Sequence, residues 1–272
     1  MPPKRQVYLL DPKNLPPETI AVTFAKTSRS PQRFSEIAAE LTDEKSAEFH
    51  EKWVVGYGHA SVAEHAVLHI AVENISRLAV ESLESCRLAS YTEKSTRYQK
   101  WTKEDYHLPA ELEDHPLQSL YEDTVLGLFQ AYEEALPQLR ALIQQQHPAR
   151  QGESETAWER RIRSKYVDIA RFYLPAAALA NVGVTINARA LEHTISKMLS
   201  HPLSEVRQAG EEIKSVAQAC VPTLVKYANP LPYLQNTRQQ LQALTRQFLP
   251  SSVPADWCKL IFWDVEAEHH IL

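Results

Sequence analysis

The segment ESCRLASYTEKSTRYQKW (residues 84–101) is rich in groups that bind anions, because lysines, arginines and hydroxyl side chains are interspersed along it. It overlaps ISRLAVESLESC (75–86), whose apolar residues recur at helical spacing and predict a helix that ends here. In one interpretation, the basic residues complement the dipole at the helix C-terminus. In the other, the alternation of Glu93, Ser95 and Arg97 predicts an extended segment whose side chains face an anionic ligand.

The composition limits the classes of partner. With 272 residues and a formal net charge of −5, the chain lacks the basic footprint of a general nucleic-acid-binding protein. No stretch approaches the roughly 20 apolar residues of a membrane helix, and the N-terminus carries no apolar signal segment. The three cysteines are widely separated and odd in number, so we predict no disulfide framework and expect a cytoplasmic protein with reduced thiols.

Glycine is scarce in this sequence. Only six glycines occur, and none forms the GxGxxG pattern of a dinucleotide-binding loop or the GxxxxGK[ST] pattern of a P-loop. This shortage excludes the commonest flavin-binding folds. A nucleotide or flavin would therefore have to be held by side chains and helix N-termini.

The predicted secondary structure combines short strands with longer helices. Predicted strands are VYLL and TIAVTFA within residues 1–30, AVLHIAVEN (66–74), with Val67 and His69 on one side, and LANVGVTIN. Predicted helices cover about 31–41 (starting at Ser30-Pro31), 43–55, 75–86, 116–146 with a break near Pro137, about 154–173 with Ser154 as cap, ARALEHTISKML, PLSEVRQAGEEIKSVAQACVPTLVKYA, and a polar segment after NPLPYL. A composition change predicts a compact domain at 1–228 and a C-terminal extension at 229–272.

The turn GHASVAEH (58–65) allows two interpretations. Ser61 followed by Glu64 fits a capping box, which requires neither histidine. The histidines and the glutamate also suggest a metal. However, the spacing is not HExxH and no third carboxylate or cysteine stands at ligand spacing, so we predict no metal site.

The segment IARFYLPAAALANVGVTINARALEH (169–193) contains Asn187 and Arg189 where an extended stretch becomes a helix. Such a junction brings an amide, a guanidinium and free backbone N–H groups together, which suits an anion. The alternative is that Asn187 is only the N-cap of the helix.

Together these three segments resemble the flavin-dependent thymidylate synthase family, over roughly residues 20–228. The family has a GHxSxxEH turn, an R-x-x-L-P and T-x-N-A-R-x-L signature, and a defining motif of Arg-His-Arg, seven residues and a serine. The matching residues are Gly58, His59, Ser61, Glu64 and His65 in the turn, Arg87, Ala89, Ser90, Tyr91, Glu93, Ser95, Arg97 and Tyr98 around the defining motif, and Arg171, Leu174, Pro175, Thr185, Asn187, Ala188, Arg189 and Leu191 in the third signature.

The resemblance implies an α+β fold with a central, mostly antiparallel sheet flanked by long helices, assembled as a homotetramer. It also implies FAD as cofactor, dUMP as substrate, and methylenetetrahydrofolate and NADPH as co-substrates for dTMP synthesis at a site shared between subunits. Carried across position by position, the FAD-binding residues would be Ser61, Glu64, Arg87, Asn187, Arg189 and His193. The nucleotide-binding residues would be Glu93, Ser95, Thr96, Arg97 and Arg171.

This sequence departs from the family motif at positions that carry charge. Ser85 and Cys86 replace an arginine and a histidine, and Met198 stands where the resemblance places the arginine that polarises the uracil ring. Lys197 would replace that arginine only if the helix register slipped, because adjacent helix residues point about 100° apart. Cys86 is open to two interpretations, as a small core-facing residue or as a nucleophile.

Two hypotheses about function follow from these departures. One is a divergent enzyme that methylates dUMP or a related uracil nucleotide. The other is a non-catalytic homologue that binds flavin or nucleotide, such as a scaffold subunit for an active partner. We expect weak or absent conversion of dUMP to dTMP, because the thioether of Met198 cannot stabilise negative charge that develops on the ring.

Overall fold

The computed structural model describes residues 5–28, 30–56, 60–248 and 264–266. The chain divides into two compact units, Met1–Leu231 and Pro232–Leu272. The strands are β1 (Val67–Ser76), β2 (Ala89–Glu93) and β3 (Leu179–Asn187). The helices of the first unit are α1 (Pro17–Thr27), α2 (Phe34–Glu40), α3 (Asp43–Phe49), α4 (Arg77–Glu84), α5 (Gln118–Gln146), α6 (Glu155–Ala170), α7 (Ala188–Leu199) and α8 (Ser204–Gln218), with a π-helix at His50–Gly56 and 3-10 helices at Ala60–His65, Ala110–Leu112 and Arg171–Tyr173. The second unit contains α9 (Pro232–Phe248).

The three strands form an antiparallel sheet in the order β1–β3–β2. Val67 pairs with Asn187 near one end of β3, and Glu93 pairs with Val182 toward the other end. On β1 the side that carries Leu68 is buried and the side that carries Val67 is more exposed, which confirms the predicted alternation. The expected α+β class, a small antiparallel sheet among many helices, is also confirmed.

The main core lies between the buried face of the sheet and helices α4, α7 and α8. Helix α7 directs Leu191, Ile195 and Met198 into this core, at the spacing of one helix face. Burying a large apolar side chain of this kind contributes about 1.5–3 kcal/mol. Helices α5 and α6 share a separate core around Tyr132 and Ile162.

Trp101 connects helix α5 to the end of the sheet. Its side chain is buried against Phe129 of α5, and its indole N–H donates to the Leu179 carbonyl of β3 (2.6 Å). Tyr106 forms a β-bridge with Ala178 beside it. The loop after β2 is therefore held at the same end of the sheet.

Side-chain caps explain where helices α6 and α7 begin. The Ser154 hydroxyl accepts a hydrogen bond from the Ala157 N–H, and Asn187 Oδ1 accepts one from the Ala190 N–H (2.9 Å). The predicted cap at Ser154 and the cap interpretation of Asn187 are both confirmed.

Three predictions for the N-terminal region are wrong. TIAVTFA belongs to α1, because a proline at the first helical positions favours a helix start and Thr19, Val22 and Thr23 share its buried face. The VYLL segment has no regular secondary structure. Helix α2 begins at Phe34 rather than at Ser30-Pro31, since the Glu36 carboxylate accepts from the backbone N–H just before it, that of Arg33 (3.0 Å).

Helix α5 runs without interruption through Pro137, where the sequence predicts a break. Proline removes the hydrogen bond to the carbonyl four residues earlier, that of Glu133. Both residues lie on the exposed side of α5, so water can satisfy this carbonyl while buried Tyr132 and Leu136 hold the helix against α6. None of the helices within the described residues is long and apolar enough to cross a membrane.

Candidate functional site

The segment after β2 forms a turn rather than the predicted extended run. The strand ends at Glu93, and residues 96–98 form the turn. The Ser95 hydroxyl accepts a hydrogen bond from the backbone N–H of Arg97 (3.3 Å). Such a local bond competes with strand pairing, so Ser95 shapes the turn. The predicted alternation is wrong beyond Glu93.

The C-terminal end of α6 holds this turn in place. Asp168 Oδ1 lies 3.1 Å from Arg97 Nε and 2.9 Å from Arg171 Nε. Arg171 Nη1 also donates to the Thr96 hydroxyl (3.2 Å). Two guanidiniums and a hydroxyl from distant parts of the sequence therefore meet, and such groups suit a phosphate.

A cavity of 540 Å³ opens beside these side chains, and we call it the sheet-end cavity. Its polar lining is Arg77, Glu81, Glu93, Thr96 and Arg171, and its apolar lining includes Leu78, Trp101, Phe172, Leu174 and Pro175. Arg77 Nη1 lies 2.6 Å from Glu93 Oε2, and Arg77 Nη2 lies 3.0 Å from Glu81 Oε1. Arg77 thus holds the Glu93 carboxylate on the cavity wall through an ion pair.

Neither Arg77 nor Asp168 is predicted from the sequence, although both hold groups of the candidate site in place. Arg77 directly follows β1. Because β1 and β2 both run antiparallel to β3, their C-terminal ends lie at the same end of the sheet. Glu93, at the end of β2, therefore comes close to Arg77, but the strand order is not visible in the sequence. For Asp168, the available signal was its spacing of three residues from Arg171, which places both on one side of a helix.

Residues that the resemblance assigns to FAD lie toward the opposite end of the sheet. Glu64 Oε1 pairs with Arg189 Nη1 at 2.5 Å, so Glu64 serves an ion pair rather than a capping box. Asn187 caps α7 beside them. Arg87, just before β2, and His193 on α7 are both exposed.

A second cavity, of 380 Å³, lies at this end of the sheet. Its lining includes Phe24, Phe49, Trp53, Ser61, Glu64 and His65. Gly58 and His59 of the predicted turn fall outside the described residues. Among the residues that the structure describes, no group of three or more His, Cys, Asp or Glu side chains is arranged to hold a metal ion.

The two sets of candidate residues are separated along β3. Asn187 pairs with Val67, and Val182, five residues earlier, pairs with Glu93. At about 3.4 Å per residue these levels are about 17 Å apart. A ligand at one end can contact the other only if it extends along the sheet, or if a second chain brings in the missing groups.

Met198 and Lys197 point in different directions at the end of α7. Met198 is 1% exposed and lies in the main core. It packs so closely against Gly210 that a Cβ atom at residue 210 would lie only 3.0 Å from the Met198 Cβ. The expectation that residue 198 borders the nucleotide is therefore wrong. Lys197 Nζ donates to the Ser85 hydroxyl (2.9 Å) although α7 is regular, so a cation reaches the end of α4 without a register slip.

Tyr91 connects β2 to the end of α4. Its hydroxyl lies within hydrogen-bond distance of the carbonyls of Leu83 (3.1 Å) and Cys86 (3.0 Å). Burial, with a smaller contribution from the neighbouring Cys86, raises the pKa of Tyr91 to about 12. The Cys86 side chain is half-buried against the main core, which favours its interpretation as a core-facing residue.

Comparison with known proteins identifies the family. A family model described as thymidylate synthase complementing protein matches residues 10–228, a range that includes all three strands and helices α1 to α8. The chain belongs to this family. The resemblance inferred from the three motifs is confirmed.

Proteins that are similar to this chain differ in length. A UPF0159 protein of Chlamydia pneumoniae is 30% identical over 268 residues, which cover 86% of this chain and 50% of that protein. The match to a UPF0159 protein of Chlamydia muridarum covers 47% of that protein. This chain therefore spans about half the length of these two relatives. A flavin-dependent thymidylate synthase of Clostridium tetani is 28% identical over 216 residues, which cover 79% of this chain and 83% of that enzyme.

A solved structure has the same fold. The flavin-dependent thymidylate synthase of Helicobacter pylori, in complex with FAD and dUMP, matches with a TM-score of 0.50 and 16% sequence identity. The match covers 77% of this chain and 95% of that one.

Proposed function

We propose that this chain acts as a divergent flavin-dependent thymidylate synthase-type protein that methylates dUMP or a related uracil nucleotide. In this proposal methylenetetrahydrofolate supplies the one-carbon unit, and NADPH supplies two electrons through FAD. The observation that carries the proposal is the sheet-end cavity, in which Glu93, Thr96 and Arg171 line one space. Family membership supports the same assignment.

The nucleotide would bind with its phosphate at the arginine end of this cavity. Arg171, Arg97 and the Thr96 hydroxyl can all donate to phosphate oxygens. Glu93, fixed by Arg77, would accept a hydrogen bond from a sugar hydroxyl or a ring N–H. A pyrimidine base needs an apolar surface as well, which the aromatic lining of the cavity provides.

FAD would bind toward the other end of the sheet. Arg189 stands in the first turn of α7, where a guanidinium and backbone N–H groups favour a phosphate, and exposed Arg87 offers a second cation. Asn187 Oδ1 is committed to the helix cap, so the NH₂ group of Asn187 would be the donor. Ser61, Glu64 and His193 complete the proposed set. Bound FAD would supply electron transfer from NADPH to the transferred carbon.

The proposal includes assembly as a homotetramer with sites shared between chains. The separation of about 17 Å between the Asn187 and Glu93 levels of the sheet supports this arrangement. A second copy could bring its flavin-binding residues to the sheet-end cavity of the first. A catalytic-type domain at 1–228, an extension at 229–272 and a cytoplasmic location belong to the same proposal.

A non-catalytic nucleotide-binding homologue is the second candidate. The observation that favours it is the burial of Met198 in the core, because the position that the resemblance assigns to a ring-polarising arginine then contributes no charge to a pocket. Arg77 favours the enzyme, since its guanidinium lines the sheet-end cavity and supplies there the positive charge that position 198 lacks.

Three measurements on the purified full chain test these candidates. Flavin fluorescence reports FAD binding, calorimetry reports dUMP binding, and product analysis with methylenetetrahydrofolate and NADPH reports dTMP. We expect both ligands to bind and dTMP to form slowly. Binding of both without any dTMP would support the non-catalytic homologue, and a chain that binds no flavin would rule out the enzyme.

A further inference from the structure

Asp168 lies between two arginines from different segments: Arg171, which lines the sheet-end cavity, and Arg97, which is next to the cavity-lining residue Thr96 in the sequence. Its Oδ1 atom contacts the Nε atoms of Arg97, from the turn after β2, and of Arg171, from the end of α6. Both contacts use the inner nitrogen of the guanidinium. The terminal nitrogens of both side chains are therefore left for other partners, and Arg171 Nη1 already reaches the Thr96 hydroxyl.

Without the Asp168 carboxylate, Arg97 would lose its ion pair, and Arg171 would keep hydrogen bonds only to the Asp168 main-chain carbonyl (3.3 Å) and the Thr96 hydroxyl (3.2 Å). The Arg97 side chain is 53% exposed, and that of Arg171 is 34% exposed, so packing alone does not order them. A long side chain loses rotamer entropy when a ligand immobilises it, and this loss weakens binding. A carboxylate that orders both guanidiniums in advance removes much of that loss.

The net charge of Asp168, Arg97 and Arg171 affects anion affinity in the direction opposite to the ordering of the arginines. Two arginines and one aspartate leave a formal charge of +1, so removal of the aspartate would leave +2 and attract an anion more strongly. The two effects therefore predict opposite signs for the same substitution. Which effect is larger can be measured directly.

We propose that Asp168 is a positioning residue that holds Arg97 and Arg171 as a paired clamp for the phosphate of the bound nucleotide. This inference rests on the proposed function, which assigns the nucleotide to the sheet-end cavity. Asp168 itself would not contact the phosphate, since like charges repel. Its effect would be specific to ligands that carry a phosphate.

The test compares Asp168→Asn with a matched control, Glu159→Gln. Glu159 lies on the same helix, pairs with Arg140 at 2.9 Å, and has the same side-chain exposure of 34%. Calorimetry on the full chain would use three probes: dUMP, deoxyuridine and inorganic phosphate. Thermal unfolding would establish that each variant is folded.

We expect Asp168→Asn to raise the Kd for dUMP about tenfold, because two side chains must then be ordered by the ligand. The Kd for deoxyuridine should change less than about twofold, and Glu159→Gln should change neither value. Asp168→Glu, which retains the charge, should recover part of the dUMP affinity.

Tighter dUMP binding by Asp168→Asn would overturn the proposal, since the charge effect would then dominate. Equal weakening for dUMP and deoxyuridine would overturn it too, because the role would then be structural. If the unaltered chain binds inorganic phosphate but not dUMP, the proposed function fails. The clamp is then supported if Asp168→Asn raises the Kd for phosphate, and overturned if it does not. Binding of neither probe would overturn both.

Discussion

The two ends of the sheet differ in how their charged groups are held. At the sheet-end cavity, Arg77, Asp168 and Glu93 form contacts within one chain that set the directions of the side chains. At the other end, Glu64 and Arg189 are about half exposed and pair with each other. The cavity end is therefore organised within one chain, whereas in our proposal a ligand or a second chain completes the other end.

The largest expected effect is at Met198, where the resemblance to the family would suggest restoring an arginine. Met198→Arg would bury a charge in the main core, so we expect the free energy of unfolding to fall by about 3–5 kcal/mol. Urea denaturation measures this change. Lys197→Arg, at the half-buried neighbouring position, should change stability by less than about 0.5 kcal/mol. A stable Met198→Arg protein with stronger dUMP binding would contradict the arrangement of α7.

Arg171→Ala tests the organised end. It removes a guanidinium that lines the cavity and contacts Asp168 and Thr96, so we expect the Kd for dUMP to rise about 100-fold. Isothermal titration calorimetry gives this value. Arg140→Ala removes an arginine with an ion pair elsewhere on the surface and should leave dUMP binding unchanged.

Arg189→Ala tests the exposed end. We expect the Kd for FAD to rise about tenfold through loss of one charge-assisted contact, with little change in stability because an exposed ion pair contributes little. Flavin fluorescence and thermal unfolding measure the two effects. Lys226→Ala is a matched control, since Lys226 also belongs to an exposed ion pair, with Glu51. Equal FAD affinity for Arg189→Ala and the unaltered chain would remove Arg189 from the proposed site.

The smallest expected effect concerns Tyr91, which lies on β2 between the two ends. Its pKa is raised to about 12 in the folded chain, so the folded state keeps a proton that the unfolded state begins to lose near pH 10. Stability should therefore fall as the pH rises from 10 to 12. Tyr91→Phe should show a shallower fall when unfolding is measured across this range, and identical slopes would contradict the assignment.

Patterns within a few residues predicted much of the fold. The alternation around Leu68 identified β1, and the caps at Ser154 and Asn187 marked two helix starts. These features depend on neighbours in the sequence, so they can be read without knowing the fold. The motif around Arg87 indicated the family and hence the α+β class.

Local propensity was misleading where tertiary contacts opposed it. The β-branched residues around Val22 suggest a strand, but their burial on one side of α1 selects a helix. Pro137 suggests a break, but α5 continues because its opposite side packs against α6. In both places the packing of a whole element outweighs the preference of one or two residues.

The charged contacts of the candidate site were decided by tertiary structure alone. Arg77 meets Glu93 only because β1 and β2 flank β3, and Asp168 meets Arg97 only because α6 lies beside the turn after β2. Helical spacing gives α7 an apolar face but does not say what that face contacts. Pairing between distant residues depends on strand order and on how helices are placed against the sheet, and neither is encoded in a local pattern.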